Sequence, residues 1–438
     1  MGLKMIRLFL LLLAASFITE CAQAQAPVLN KYTFGEGLKF TGEKGYKFAL
    51  TGFAQPYFES KFYTEDSLGQ NAMNRFRMRR LRLRFSGSVA DQKIEYRLQV
   101  DLSGVSEVGD DEGAFLLDAW VGYNITKRSK ISFGQRATPT DNRELRMSSA
   151  TLQLVERSRL TSAFSSIREF GLFYQGDVRF KNGMYLKNYI AITNGDGLNV
   201  RNADFGGFKY GGRIDFLPFG LFTKFGQFRQ VDMVRENSPK LVVGASASLN
   251  QGMSSRRGRN SGAILYQNDS SEVSLPDYFK AGVDFLFKFK GFSALGEIVT
   301  STANVPNDIT ARVRNDGSVS SNFDVDGEEN VERYVKGRMM LGTGYNIQMG
   351  YIFKNLLSID ARYTHLDADQ DSFLNNGTFY NRPNYYTLGV SKYMGRNYGF
   401  KIQTSLTYVD LAEGSNDINS RPISGNEVIW RIITSLAF

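Results

Sequence analysis

A chain of 438 residues with 53 Lys and Arg against 44 Asp and Glu carries a formal charge of +9, and it holds one cysteine and one histidine. That composition excludes a disulfide framework and the Cys/His spacing of a metal site. A mean hydropathy of -0.29, with no apolar run of about 18 residues beyond the N-terminal segment, leaves no helix able to span a membrane.

Taken in chain order, the first element reads as an export signal. Lys4 and Arg7 supply a positive start, Leu8 to Ile18 an apolar run, and Ala22-Gln23-Ala24 a small-residue cleavage site. Residues 1–24 are therefore expected to be a secretory signal peptide removed before Gln25. Cys21 follows Glu20, which spoils a lipidation context, so this cysteine is expected to leave with the signal. Residues 25–45 are expected to form a short periplasmic segment, too short for a plug domain, and 46–438 a barrel.

Beyond residue 45 apolar and polar residues alternate, the pattern of a strand with one face in lipid and the other in water. The clearest case sets Ile94, Tyr96, Leu98, Val100 and Leu102 on one face and Glu95, Arg97, Gln99 and Asp101 on the other. The 34 Phe and 22 Tyr against 9 Pro and 2 Trp suit such strands and their aromatic girdles. Alternation predicts strands near 46–60, 73–89, 92–103, 115–125, 130–137, 167–180, 184–194, 207–217, 241–250, 278–289, 292–303, 338–353, 356–367, 385–394, 399–410 and 427–438. That is about sixteen, or eighteen if a pair is missed, an even number within the range of bacterial single-chain barrels. The fold class is all-β: a transmembrane antiparallel β-barrel with short periplasmic turns and long extracellular loops. One connection, 218–240, is long on the short-turn side, against that alternation. About sixteen strands leave an aqueous bore, where eight would be filled by side chains.

At the far end Val428, Trp430, Ile432, Thr434, Leu436 and Phe438 keep the alternation to the last residue. A terminal aromatic in register resembles the C-terminal signal read by the barrel-assembly machinery, whereas free ends usually fray. The expected location is the bacterial outer membrane, with its lipid and that machinery, through Phe438, as partners.

The most distinctive segment runs from Arg75 to Phe85. Arginines occupy Arg75, Arg77 and Arg79, then Arg80, Arg82 and Arg84, so a bulge at Arg79-Arg80 keeps all six guanidiniums on one face. Lipid would charge roughly 2–4 kcal/mol for each at mid-bilayer, so they must line the lumen. With Arg97 they form a candidate ladder that passes an anion from fork to fork. The competing reading pairs them with acids on adjacent strands, with Glu95, Asp101 and Asp118 as the candidates.

Thr138 to Ser166 is too long for an idle connection and has apolar positions of its own. It is expected to fold inward and narrow the bore, with Arg143, Arg146, Arg157 and Arg159 as constriction candidates. The competing reading is an outward loop with local pairs such as Arg143 to Glu144 or Glu156 to Arg157.

Arg79-Arg80-Leu81-Arg82-Leu83-Arg84-Phe85-Ser86-Gly87, continuing through Glu95-Tyr96-Arg97-Leu98-Gln99-Val100-Asp101, resembles the phosphate-selective porin O and P family. So does the run from Ala119-Trp120-Val121-Gly122-Tyr123 to Gly134-Gln135 and Thr138-Pro139, followed by Leu154-Val155-Glu156-Arg157-Ser158. The resemblance implies a sixteen-stranded barrel, usually a homotrimer, in which an arginine ladder and an inward loop select phosphate or larger anions.

Other classes find less support. The one histidine, His365, is in phase with Ile359, Ala361 and Tyr363 on the lipid face, so it is a poor catalytic base, and no catalytic pair stands out. An interaction barrel with a closed bore would use loop runs such as Arg256-Arg257-Gly258-Arg259 and Asp324 to Glu329, which otherwise read as solvated loop faces. No phosphate loop, dinucleotide fingerprint or metal site calls for a cofactor, and basic residues dispersed along strands do not suit nucleic acid.

Overall fold

The computed structural model describes residues 29–42, 45–65, 73–108, 113, 115–198, 205–417, 419–423 and 425–438. The expected signal and its cleavage site lie outside the described residues. In chain order the strands are β1 (Leu29–Thr33), β2 (Gly37–Thr41), β3 (Lys47–Tyr63), β4 (Met73–Val89), β5 (Ile94–Asp101), β6 (Leu116–Thr126), β7 (Ser129–Ala137), β8 (Arg168–Arg179), β9 (Tyr185–Thr193), β10 (Lys209–Leu217), β11 (Lys240–Asn250), β12 (Leu265–Gln267), β13 (Asp277–Phe289), β14 (Phe292–Asn304), β15 (Ala311–Val313), β16 (Val319–Ser320), β17 (Asp324–Val325), β18 (Glu328–Glu329), β19 (Gly342–Ile352), β20 (Leu357–Ala368), β21 (Asn384–Tyr393), β22 (Phe400–Asp410) and β23 (Glu427–Ala437).

Sixteen of these close on themselves through antiparallel pairs, from β3 to β11, then β13, β14 and β19 to β23, with β23 returning to β3. Closure removes every sheet edge from the hydrocarbon, the only way strands can cross it. An even count puts the start of β3 and the end of β23 at one mouth, where Ala437 faces Phe53. That mouth also carries the short turns.

Within residues 25–45, expected to form a short periplasmic segment, β1 and β2 form a hairpin whose second strand pairs with the first residues of β3, Leu38 opposite Leu50. The reason is length. β3 has 17 residues against 11 in β23, so its protruding edge would offer unpaired backbone groups, and β2 covers them.

Side chains alternate as the pleat requires. Phe133 and Leu388, on the outer face, are 60% and 66% exposed, while inward neighbours such as Ser132, Thr387 and Ser391 are buried within the bore. On β4 the register jumps from Gln55–Arg80 to Pro56–Met78, leaving Arg79 as the extra residue. Pro56 has no N–H to offer the ladder, so a bulge opposite it costs no hydrogen bond. Arg79 and Arg80 thereby face the same way, and Phe76 and Met78 remain outside.

Candidate functional site

Residues 138–167 lie inside the barrel. A chain crossing the bore has no ladder to satisfy its backbone, so wall side chains must do it. The Leu152 carbonyl accepts from Lys401 Nζ at 2.6 Å, and the Gln153 carbonyl from Ser391 Oγ and Gln403 Nε2 at 3.1 and 2.8 Å. Opposite, Arg143 reaches Asp215 of β10 and Asp284 of β13 at 2.8 and 2.6 Å, and Asn142 reaches Glu297 of β14 at 3.1 Å. Room comes from inward glycines. A Cβ on Gly350 would sit 2.2 Å from Gln153 Nε2, and one on Gly389 2.4 Å from Leu154 Cδ2.

The connection 218–239 enters from the short-turn mouth. Lys288 donates to the carbonyls of Gly226 and Val231 at 2.9 and 3.0 Å, beside the Arg229 amide on the first and the Tyr398 hydroxyl on the second. Phe222 packs with Leu217, Val242, Leu286 and Leu295 of the wall and with Met147 of the other in-bore segment. Val231 and Met233 pack with Ile352, Tyr393 and Tyr398 at the far side of the mouth. Gln230 links both segments: its Oε1 accepts from the Gln153 amide at 2.7 Å, and it lies 3.3 Å from Nε2 of Gln348. The extra length of this turn is thus spent filling the lumen beneath β10 to β21.

The six arginines of β4 all face the bore but meet three environments. Arg75, nearest the long loops, pairs with Glu59 at 2.5 Å, and Arg77 lies 5.2 Å from the Tyr57 ring. Arg79 and Arg80 are 1% and 0% exposed, and both are held by Glu156 of the inward loop, Arg80 at 2.8 Å. Arg82 takes Asp101 at 2.6 Å and approaches Glu107 at 3.4 Å. Glu107 also binds Arg157 at 3.0 Å and Arg168. These residues make a buried belt of alternating charge across mid-bore. Burial pushes the Glu107 carboxyl up, but Arg168, Arg82 and Arg157 outweigh it and hold it well below the usual carboxylate range.

Beyond the belt toward the short turns, Arg84 and Arg97 are half-buried and border a second group of cations. Trp120 is on the inward face of β6, and the charged ends of Arg97, Lys130 and Arg136 lie 5.3, 5.1 and 5.1 Å from its ring. Such geometry is attractive to each cation and spaces three like charges around one surface. Arg84 donates to Gln99 at 2.7 Å and Arg136 to Ser132 at 2.7 Å, with no carboxylate within ion-pair distance of either among the described residues. Lys130 pairs with Glu95 at 2.7 Å, and Arg97 is 3.9 Å from Asp118, which Arg168 holds at 2.8 Å. Arg146, a loop candidate, spans the gap to β9: it stacks 4.4 Å from Tyr189 and pairs with Asp215 at 2.6 Å.

Of the pairing candidates, Asp101 alone meets a β4 arginine; the acids that hold Arg75, Arg79 and Arg80 are Glu59 and Glu156. The local pairs considered for the loop do not form either, since Arg143 uses Asp215 and Asp284 and Arg157 uses Glu107. Arg159 donates to the Phe379 carbonyl at 2.5 Å and lies 4.2 Å from the Tyr380 ring, toward the long loops. Glu107, Glu144 and Glu156 carry no strand period that would reveal them. Trp120 and Arg136 do, because each falls on the polar parity of its strand. His365 stands on the outer face 5.0 Å from Tyr345 and bonds Asn384 at 2.7 Å, away from the bore. The run Arg256 to Arg259 is turned inward rather than solvated, since Arg259 donates to the carbonyls of Ser162 and Ser165, both at 2.8 Å.

Among solved structures the chain is similar to OmpF of Salmonella typhi in complex with daunomycin, with a TM-score of 0.52, 10% identity, and coverage of 90% of this chain and 98% of that one. It is also similar to the outer-membrane channel DcaP of Acinetobacter baumannii, with a TM-score of 0.50, 11% identity, and coverage of 91% and 99%. An anion-selective porin from Comamonas acidovorans aligns with a TM-score of 0.49 and 10% identity over 90% and 100%. No curated protein sequence matches the chain. The family model for phosphate-selective porin O and P matches residues 57–328, which hold the arginine strand, the inward loop, the Trp120 cluster and the long inward turn. The chain belongs to the phosphate-selective porin O and P family, and it is a channel of the bacterial outer membrane.

Proposed function

We propose that this channel prefers anions, phosphate among them, and that they travel along the wall from β4 to β9. The observation that carries the reading is the gathering of Arg84, Arg97, Lys130 and Arg136 on inward positions that keep access to lumen water, while the inward faces of β13 to β22 are mostly buried beneath the two in-bore segments. Among the described residues Arg84 and Arg136 meet no carboxylate, so the cluster is net cationic, and low-dielectric walls focus its field on the bore. Toward the long loops Arg75 and Arg77 offer a first contact. Between them, Glu156 already occupies the forks of Arg79 and Arg80, so an anion passing the belt takes over a site that a carboxylate vacates. Exchange of one anion for another at a fixed guanidinium avoids baring a buried charge, the costly alternative. Reversal potentials in asymmetric potassium chloride, then phosphate, test the reading: anion over cation preference supports it, and cation preference or neutrality rejects it.

Family membership further supports a homotrimer, a signal over residues 1–24 and recognition of Phe438 by the assembly machinery; cross-linking, N-terminal sequencing of exported protein and deletion of Phe438 test these in turn.

A further inference from the structure

At the long-loop mouth β12, β15 and β16 form a small sheet, with Tyr266 opposite Arg312 and Arg312 opposite Ser320. A helical turn, Val331–Lys336, packs beside it and is capped by Asn330, whose Oδ1 accepts from the Arg333 amide at 3.0 Å. Met253, Tyr266, Ile309, Phe323 and Val335 share one buried core beneath, so the loops here have a fixed shape. Sheet and helix border a groove of about 380 Å³ whose lining includes Tyr266, Arg312, Arg314, Asn315, Tyr334 and Arg338. That volume exceeds what an inorganic ion needs and falls at the small end of organic ligand sites.

Its charges are unbalanced. Arg312 and Arg338 lie 4.7 and 4.5 Å from the Tyr334 ring, so the ring positions both guanidiniums. Arg333 nearby is held by Asp371 and Asp326, at 3.2 and 3.3 Å, but Arg312, Arg314 and Arg338 make no ion pair among the described residues. Their bonds go to neutral partners: Arg312 to the Asn322 carbonyl at 3.0 Å, Arg314 to Ser320 Oγ at 3.2 Å, Arg338 to the Tyr334 hydroxyl. Asp316, the one acid of the lining, already accepts from the Ser318 amide and hydroxyl at 2.9 and 2.7 Å. Each guanidinium has five N–H groups, so most remain unused. Tyr266 is 1% exposed, and its hydroxyl has no hydrogen-bond partner among the described residues, a rare state for a buried polar group.

We propose that this groove binds a small anionic saccharide, one that carries a phosphate or carboxylate group. The three guanidiniums take the charged group, and Tyr266 and Asn315 supply neutral partners for hydroxyls. The site stands apart from the bore and does not rest on the anion preference proposed above.

Titration calorimetry of lipopolysaccharide-free protein in detergent, with glucose 6-phosphate, glucuronate, glucose and inorganic phosphate as probes, tests it. Saturable binding of the two sugar anions is expected, with none for glucose. Arg312→Gln and Arg338→Gln should each weaken binding tenfold or more, and Tyr266→Phe severalfold, while heat-dependent gel mobility and single-channel conductance stay as in the wild type. Lipopolysaccharide carries the same chemistry as a free sugar phosphate. Protein extracted from native membranes separates the sources: lipopolysaccharide retained by the wild type and lost from the arginine variants assigns the site to the lipid-borne saccharide, and equal retention assigns it to a free solute. No binding of either sugar anion, equal binding of inorganic phosphate and glucose 6-phosphate, or unchanged affinity in folded arginine variants would overturn the proposal.

Discussion

Gln230, on the segment that enters from the short-turn mouth, donates through Nε2 to Glu144 Oε1 at 3.1 Å, on the segment that enters from the opposite mouth. The lumen is therefore narrowed by two segments that meet, rather than by one inward loop. Replacing 223–235 with a short Gly-Ser turn should raise single-channel conductance roughly twofold or more, since the open cross-section governs passage through a barrel of this width. Unchanged conductance in a folded variant would show that the segment does not limit flow.

The belt makes a prediction with two readouts. Glu156→Gln leaves Arg79 and Arg80 buried without their carboxylate, and breaking such a buried pair typically costs about 3–5 kcal/mol. The unfolding temperature should fall, and anion preference should rise because one negative charge is removed from the bore. A lower unfolding temperature with unchanged reversal potential would make the belt structural alone.

The outward face of β4 can be tested against the inward one. Leu81→Arg or Leu83→Arg puts a cation against lipid, at roughly 2–4 kcal/mol near mid-bilayer, so assembly judged by heat-dependent gel mobility should fail in large part. Full assembly of either variant would mean that β4 is turned the other way.

Acid should spare the belt until low pH. The Glu107 carboxyl is held well below its unfolded value, which lies near 4.3, by Arg168, Arg82 and Arg157 acting against burial. Its contribution is complete above the unfolded value and is lost as pH falls through the lowered native one. Unfolding temperature is expected to hold steady from pH 7 to about 5 and to decline only below about 4, whereas a Glu107→Gln variant should start lower and lose less over the acid range. A decline of the wild type between pH 7 and 5, absent from Glu107→Gln, would contradict this account.

The wall of the barrel was legible in the sequence because lipid and water impose a period of two. Arg75 to Arg84 with its parity switch, Glu95 to Leu102, and Val428 to Phe438 all lie where that period puts them. The filling of the barrel was less legible. Glu156 meets Arg79 and Arg80 across 77 and 76 positions of sequence, and Gln230 meets Glu144 across 86, contacts that no local pattern encodes. The β1–β2 hairpin answers a need created by the unequal lengths of β3 and β23, which emerges only once the barrel closes. Trp120 was readable in principle, since an aromatic on the polar parity of β6, one strand from Arg97, is out of place on any surface but a lumen that uses it.

The proposed anion preference is set by the net-cationic cluster beyond the belt rather than by the whole arginine column. It is tested most directly by reversal potentials of a variant carrying Arg84→Gln, Arg97→Gln and Arg136→Gln, measured at low and high salt beside the wild type. The expected result is a wild type that favours anions strongly at low salt and less at 1 M, where screening shortens to about 3 Å, and a folded variant that has lost most of that preference with little change in unfolding temperature. A folded variant that keeps the wild-type reversal potential would contradict the account.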